Sequence, residues 1–416
     1  MKVCVIGLGY IGLPTSAMFA KSNVEVLGVD RSKHIVEVIN SGNIHIEEPG
    51  LKEVIKEVVA NRKLRAALTP EEADAFIIAV PTPNNEDEHK SCDLEHVLSA
   101  TESIIPYLKK GNVIIIESTI APRSTEDYVK PLIEKNGLVV GTDVFLAHCP
   151  ERVLPGKILN EIVYNNRIVG GITEKCTEEA AKIYEVLVKG EIIKTEAKTA
   201  EMSKLMENTF RDVNIALANE LAKVCNELDI NVLDVISMAN KHPRVNIHTP
   251  GPGVGGHCLA VDPYFIYAKT PKIAKLIKLS RDINTSMPEY VVNNVEKILK
   301  KDKSKKVAVF GVTYKADVDD IRESPAMEII HMLIKSGYNI DIYDPHVENE
   351  NFKSFDEALN GAELLLCLVD HSEFRTMDYL KLKKLMKNPL IFDTRGFLED
   401  SDIVCVMNYG NMYKFL

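Results

Sequence analysis

The stretch VCVIGLGYIGLP, residues Val3–Pro14, runs four apolar residues into three glycines and then into a helix-forming segment. Gly7, Gly9 and Gly12 stand as G-x-G-x-x-G directly behind a strand-like run, and the next such run, VEVLGVD, ends on an acid at Asp30. Glycine at Gly7 permits a tight turn, Gly9 lets a pyrophosphate approach the backbone, and Gly12 lets a helix pack closely on the strand. The helix N-terminus that follows attracts an anion. A bare turn explains the glycines without the acid; the strand, helix and acid together predict a dinucleotide site. Asp30 accepts hydrogen bonds from ribose hydroxyls and repels a 2′-phosphate, which favours NAD over NADP. Arg31 and Lys33 follow, either softening that preference or simply solvated.

Outward from this turn, short apolar runs (VCVIG, VEVLGV, AFIIAV, VIIIES, VFLAHC, NRIVGG) alternate with helical patterns, as a parallel sheet with crossover helices requires. From about Lys194 the strands cease and apolar residues recur at helical spacing, as in EMSKLMENTFRDVNIALANELAKVCNEL. From Lys305 the alternation returns in KVAVFGV, NIDIYDP, LLLCLVD, PLIFDT and IVCVMN. The expected fold is α/β: two Rossmann-like doubly wound domains, 1–193 and 301–416, joined by a helical connector and dimerisation region, 194–300. The charged stretch KKDKSKK, Lys300–Lys306, marks the second boundary.

The 416 residues carry a formal charge of -10, which argues against a nucleic-acid or anionic-membrane surface while leaving room for a local basic pocket. Eight cysteines lie scattered with no CxxC and no metal-ligand spacing, as in a reduced intracellular chain. With no leader-like start and no apolar run of membrane-spanning length, the expected location is cytoplasmic.

One cysteine differs from the rest. In TPGPGVGGHCLAVDPYF, Thr249–Phe265, Gly251, Gly253, Gly255 and Gly256 precede Cys258. Most cysteines are inert buried thiols, as expected for Cys4 and Cys367 within apolar strands. A buried thiol needs no such loop, whereas a nucleophile needs access and backbone donors. A thiol beside NAD suits the conversion of an alcohol through an aldehyde, a thiohemiacetal and a thioester to an acid. Lys204, Asn208 and Arg211, spaced i, i+4, i+7, share one helix face. Spacing alone fits a solvated face as well as a site.

The motifs GLGYIGLP, VPTP (Val80–Pro83), ESTI (Glu117–Ile120), PER (Pro150–Arg152), EMSKLMEN (Glu201–Asn208), GGHCLAVDP (Gly255–Pro263) and GVTYKADVDDIRESPA (Gly311–Ala326) occur in this order. Through them the chain resembles the UDP-glucose/GDP-mannose dehydrogenase family over essentially its whole length. The run RVNIHTPGPGVGGHCLAVDPYF is similar to the branch that acts on UDP-N-acetyl-D-mannosamine. The resemblance implies an NAD-dependent, four-electron oxidation at C6 of a UDP-sugar with Cys258 as covalent nucleophile. It implies that Lys204 stabilises oxyanions, that Glu151 supports proton transfer in thioester hydrolysis, and that Asn208 and Asp262 belong to the catalytic set. Asp262 would lie beside Cys258 if a helix begins there, a cap or turn role at Pro263 being the alternative.

For the cofactor, the resemblance carries over Tyr10, Ile11, Asp30, Thr82, Thr119 and, from the last domain, Arg322. Family members often carry a basic residue five positions past the acid; here that place is Ile35, with Lys33 nearby. For the nucleotide sugar it implies Arg152, Val153, Lys204, Asn208, Arg211, Gly255, Tyr314 and Lys315, with His242 and Arg244 reaching across a homodimer that forms through the central helices and can assemble further. No metal is expected, since His242, His248 and His257 lack a second group of ligands. UDP-N-acetylglucosamine or UDP-glucose are the alternative substrates. A single-step hydroxy-acid dehydrogenase and a non-catalytic nucleotide sensor are the alternative functions.

Overall fold

The computed structural model describes residues 1–415. Contacts divide the chain into two compact units: Met1–Glu207 with Tyr264–Ile273, and Asn208–Pro263 with the chain from Ala274 onward. The helical residues of 194–300 are thus shared between both units.

In the first unit the apolar runs form strands β1 (Lys2–Ile6), β2 (Glu25–Val29), β3 (Leu64–Ala67), β4 (Ala75–Ile78), β5 (Val113–Ile116), β6 (Phe145–His148), β7 (Arg167–Gly171) and β8 (Ile192–Glu196). Among the described residues they pair in the order β3-β2-β1-β4-β5-β6-β7-β8. The central strands β4, β5 and β6 are buried at every position, as strands covered on both faces must be. Truncating one such side chain, Ile77→Ala, costs about 2–5 kcal/mol.

The expected parallel sheet is corrected at one place. β7 runs antiparallel to β6, with Ala147 opposite Gly171 and His148 opposite Gly170, and β8 runs parallel to β7. The residues between β6 and β7 hold one short helix, Ile158–Tyr164, and return the chain to the end of the sheet it has just left. A parallel neighbour would need a crossover back to the other end.

Strands β1 and β4 are neighbours, so successive connections leave in opposite directions there and open a crevice at their carboxyl ends. Gly7, Asp30, Thr82, Thr119 and Glu151 each follow the carboxyl end of a strand, β1, β2, β4, β5 and β6 in turn. The sheet therefore gathers them along one edge.

The second unit holds β9 (Lys306–Phe310), β10 (Asn339–Tyr343), β11 (Leu364–Cys367), β12 (Leu390–Asp393) and β13 (Cys405–Asn408), all parallel, in the order β10-β9-β11-β12-β13. These five are the runs read from the sequence. The long helix Ala197–Glu227 confirms the apolar periodicity of that segment. Among the described residues no helix is long and apolar enough to cross a membrane.

Candidate active site

The glycine turn has the form the fingerprint predicts. Gly7 holds φ +92, and a Cβ on Gly12 would sit 1.8 Å from the Gly7 carbonyl oxygen, so neither position takes a side chain. A Cβ on Gly9 would meet open space, which leaves that backbone open to a ligand. Asp30 braces the turn, accepting from Leu8 N at 3.1 Å and Ser32 N at 2.8 Å. Ile11 stands immediately before the helix Gly12–Lys21, and Tyr10 is exposed ahead of it. Thr82 Oγ1 donates to the Thr119 carbonyl at 2.6 Å, so two residues assigned to the cofactor from separate motifs meet. Ile35 packs against the core, while exposed Lys33 faces Glu37 at 3.6 Å. With a backbone turn, a helix N-terminus and a brace carboxylate, these residues fit a dinucleotide.

Glu151 follows β6 and is nearly buried. Its Oε1 accepts from Arg152 N at 2.7 Å and its Oε2 from Arg167 Nη2 at 2.6 Å. The same Arg167 nitrogen donates to Glu117 Oε1 at 2.8 Å, and Tyr184 OH donates to that oxygen at 2.6 Å. Arg167 Nε donates to Cys149 Sγ at 3.2 Å, and the guanidinium lies 4.3 Å over the Tyr184 ring. Burial pushes the Glu117 carboxyl upward and the Cys149 thiol up to about 11. Arg152 pairs with Glu207 at 2.6 Å, which ties the Glu151 segment to the helical turn that carries Lys204. Val153 packs against the core.

In the second unit Cys258 is exposed, unlike buried Cys4, Cys149, Cys176, Cys225 and Cys367. Gly255 and Gly256 explain the loop in front of it: a Cβ on the first would meet the Glu323 carbonyl at 2.2 Å, and the second holds φ +82 against the Tyr314 ring. The glycines thus allow the loop to lie directly on the segment that bears Tyr314. A helix does begin at Asp262, and Asp262 N donates to the Cys258 carbonyl at 2.8 Å. The buried Asp262 carboxylate accepts from Asn208 Nδ2 at 2.5 Å, and Arg211 Nη2 donates to Asn208 Oδ1. Deeper in, Arg281 pairs with Asp212 at 2.5 Å, Asn284 Nδ2 donates to Asp212 Oδ1 at 2.8 Å, and Asn219 Oδ1 accepts from Gly251 N at 2.9 Å. This polar lattice anchors the base of the cysteine loop. His242 and Arg244 are exposed neighbours, with Arg244 N donating to His242 Nδ1 at 3.3 Å.

Tyr314 and Lys315 lie beyond β9, where Tyr314 N donates to the Asp320 carbonyl at 3.1 Å, and Arg322 forks onto Asp320 at 2.8 and 2.6 Å. Among the described residues, Asp317, His346 and His371 bring metal-ligating atoms together. His371 Nδ1 accepts from Asp317 N at 3.0 Å and its Nε2 faces Asp344 Oδ2 at 3.1 Å, so both ring nitrogens are engaged in bracing the loop.

Family models for the UDP-glucose/GDP-mannose dehydrogenase family match three consecutive parts of the chain: the NAD binding domain at 1–188, the central domain at 198–286 and the UDP binding domain at 308–400. The chain belongs to the UDP-glucose/GDP-mannose dehydrogenase family. It is similar to the crystallised UDP-N-acetyl-mannosamine dehydrogenase Cap5O of S. aureus, 57% identical with a TM-score of 0.94 over 100% of both chains. It is 48% identical to the UDP-N-acetyl-D-mannosamine dehydrogenase of Methanococcus maripaludis strain S2, covering 96% of this chain and 94% of the relative. It is also 44% identical to an NDP-N-acetyl-D-galactosaminuronic acid dehydrogenase of Ralstonia solanacearum, over 95% of each.

The dehydrogenase is thus a nucleotide-sugar oxidoreductase acting on a UDP-sugar, and the readings as a hydroxy-acid dehydrogenase or a sensor fall away. Sequence reasoning passed over Arg167, Tyr184 and Cys149, and used Glu117 as motif lettering alone. Their one local signal was an arginine opening an otherwise apolar strand.

Proposed function

We propose that this dehydrogenase oxidises UDP-N-acetyl-D-mannosamine at C6 to the uronate with NAD as hydride acceptor and Cys258 as nucleophile. The carrying observation is the contrast between exposed Cys258, on a loop braced by Asn208 and Asp262, and Cys149, whose buried thiol sits near 11. The substrate reading is supported by the likeness to UDP-N-acetylmannosamine dehydrogenases at 57% and 48% identity.

The dinucleotide, held by the Gly7–Gly12 turn, Asp30, Thr82 and Thr119, with Tyr10, Ile11 and Arg322 contributing, supplies hydride acceptance at C6 when bound. The Cys258 thiolate adds to the C6 aldehyde, forming a C–S bond, and Lys204 stabilises the oxyanion. After the second oxidation the sugar is a thioester on Cys258. Glu151 takes a proton from water as it attacks C6, Asn208 and Asp262 orient that water, and the C–S bond breaks to return the thiolate. One alcohol, one water and two NAD give one carboxylate, two NADH and three protons.

In this reading residues 1–193 hold the dinucleotide and 301–416 the UDP moiety, with Arg152, Val153, Arg211, Gly255, Tyr314 and Lys315 on the nucleotide sugar. Asp30 favours NAD through the ribose hydroxyls. The chain works as a homodimer: Met202, Met206, Phe210, Leu217 and Val224 are exposed along Ala197–Glu227 within an arc of about 80°, opposite Lys204, Asn208 and Arg211. An exposed apolar stripe of this length suits a second copy, and in this reading His242 and Arg244 of each protomer serve the neighbouring substrate. Eight thiols suit the reducing cytoplasm.

The test is NADH formed per sugar consumed, with UDP-N-acetyl-D-mannosamine beside UDP-N-acetylglucosamine, UDP-glucose and GDP-mannose. Two NADH, with the mannosamine sugar fastest, is expected. One NADH overturns the thioester route, and preference for another sugar overturns the substrate.

A further inference from the structure

Arg167 opens β7, the strand whose direction is reversed. Continuing the β6–β7 register by three positions sets Arg167 level with Glu151, and the observed 2.6 Å contact joins them there. The two hydrogens of a single nitrogen serve two carboxylates, Glu151 on one side and Glu117 on the other. The Nε–H is directed at Cys149 and the guanidinium face covers Tyr184, with the side chain 5% exposed. A planar donor held on its edge and its face has no alternative orientation. Glu151 inherits this rigidity, because its other oxygen is held by the Arg152 backbone. The neighbouring cation, Arg152, is committed to Glu207. The cation in contact with the nearly buried Glu151 carboxyl is therefore Arg167.

We propose that Arg167 is the positioning residue for Glu151, with Glu117 as its anchor, so that the guanidinium fixes where the Glu151 carboxylate meets the thioester and its attacking water. This rests on the role of Glu151 proposed above. The effect is confined to hydrolysis, since the contacts of the glycine turn and of the Cys258 loop lie elsewhere. Displacing a catalytic group by about 1 Å can cost on the order of 100-fold in rate.

The experiment uses the full-length enzyme with UDP-N-acetyl-D-mannosamine and NAD, and compares Arg167→Lys, Glu117→Gln and Glu151→Gln. Arg167→Lys is expected to lower kcat about tenfold or more while both KM values stay within about twofold. Stopped-flow should show a burst approaching two NADH per site before the slow steady state, with the sugar thioester detected on Cys258 by mass spectrometry. Glu117→Gln, which keeps the guanidinium, should give the same burst with a smaller fall in kcat, and carries the test if Arg167→Lys fails to fold. A folded Arg167→Lys or Glu117→Gln that loses activity without a burst, or turns over like wild type, overturns the positioning role. If Glu151→Gln also hydrolyses at the wild-type rate without a burst, the reading of Glu151 falls and takes this inference with it. A burst in Glu151→Gln alone leaves that reading intact and removes Arg167 from it.

Discussion

Asn208 Nδ2 donates to Asp262 Oδ2 at 2.5 Å, joining the long helix to the helix that starts four residues past Cys258. Both residues are buried, with Asn208 0% and Asp262 3% exposed, so the bond is shielded from water. Arg211 Nη2 donates to Oδ1, the oxygen of the same Asn208 amide, which fixes the amide orientation.

Asn208→Ala leaves a buried carboxylate oxygen without this donor. The expected loss of stability is about 1–3 kcal/mol, read as a lower urea midpoint with unchanged m. Turnover should fall more steeply than stability, because the start of the Asp262 helix loses its tether beside Cys258. Wild-type kcat in this variant removes the amide from the catalytic set.

Asp30 serves both the turn and, in the proposed reading, the ribose. Asp30→Ala is expected to raise KM for NAD about tenfold or more and to narrow the preference for NAD over NADP. Loss of the bonds from Leu8 N and Ser32 N should also lower the thermal midpoint. Steady-state kinetics with both cofactors checks the first effect; an unchanged NAD-to-NADP ratio excludes Asp30 as the selector.

His148, at the end of β6, is fully buried, and burial pushes its imidazole down to about 3. Because the folded value lies below the unfolded value near 6.5, the unfolded chain binds the extra proton and folding weakens as pH falls from 6.5 towards 3. The slope is about 1.4 kcal/mol per pH unit for this one group. Between pH 6.5 and 5, His148→Phe should lose about 2 kcal/mol less stability than the parent in urea titrations. Parallel losses in both proteins assign the acid sensitivity to other groups.

Phe210 is 57% exposed in the apolar stripe of Ala197–Glu227. Phe210→Asp places a charge where a second copy is proposed to dock. It should shift sedimentation from dimer to monomer at micromolar concentration, with the fold unchanged by circular dichroism. A dimer that persists in this variant moves the interface to another surface.

Local chemistry made much of this legible. The glycine fingerprint, the glycine-framed thiol and the five runs of the second sheet are statements about neighbouring residues. The two strands of the first sheet that apolar runs did not reveal, β3 and β8, are its edges. LRAA and IIKTE place Arg65, Lys194 and Glu196 towards water, so neither reads as a buried strand. The glycines before Cys258 were legible as a flexible loop, but their reason was not: they admit Glu323 and Tyr314, far along the chain.

The sequence by itself determined that the glycine turn closes a strand, that a glycine loop frames Cys258 and that β7 is a strand. Tertiary structure alone decided which way that strand runs. A run of apolar residues satisfies either direction, since strand periodicity is the same in both; the direction depends on where the connection returns the chain. By returning to the carboxyl end of β6, it set Arg167 beside Glu151, 16 residues away, and Glu117, 50 residues away. Three charged side chains that look unrelated in the sequence thereby became one buried cluster, because an uncompensated charge at that depth has nowhere else to be neutralised.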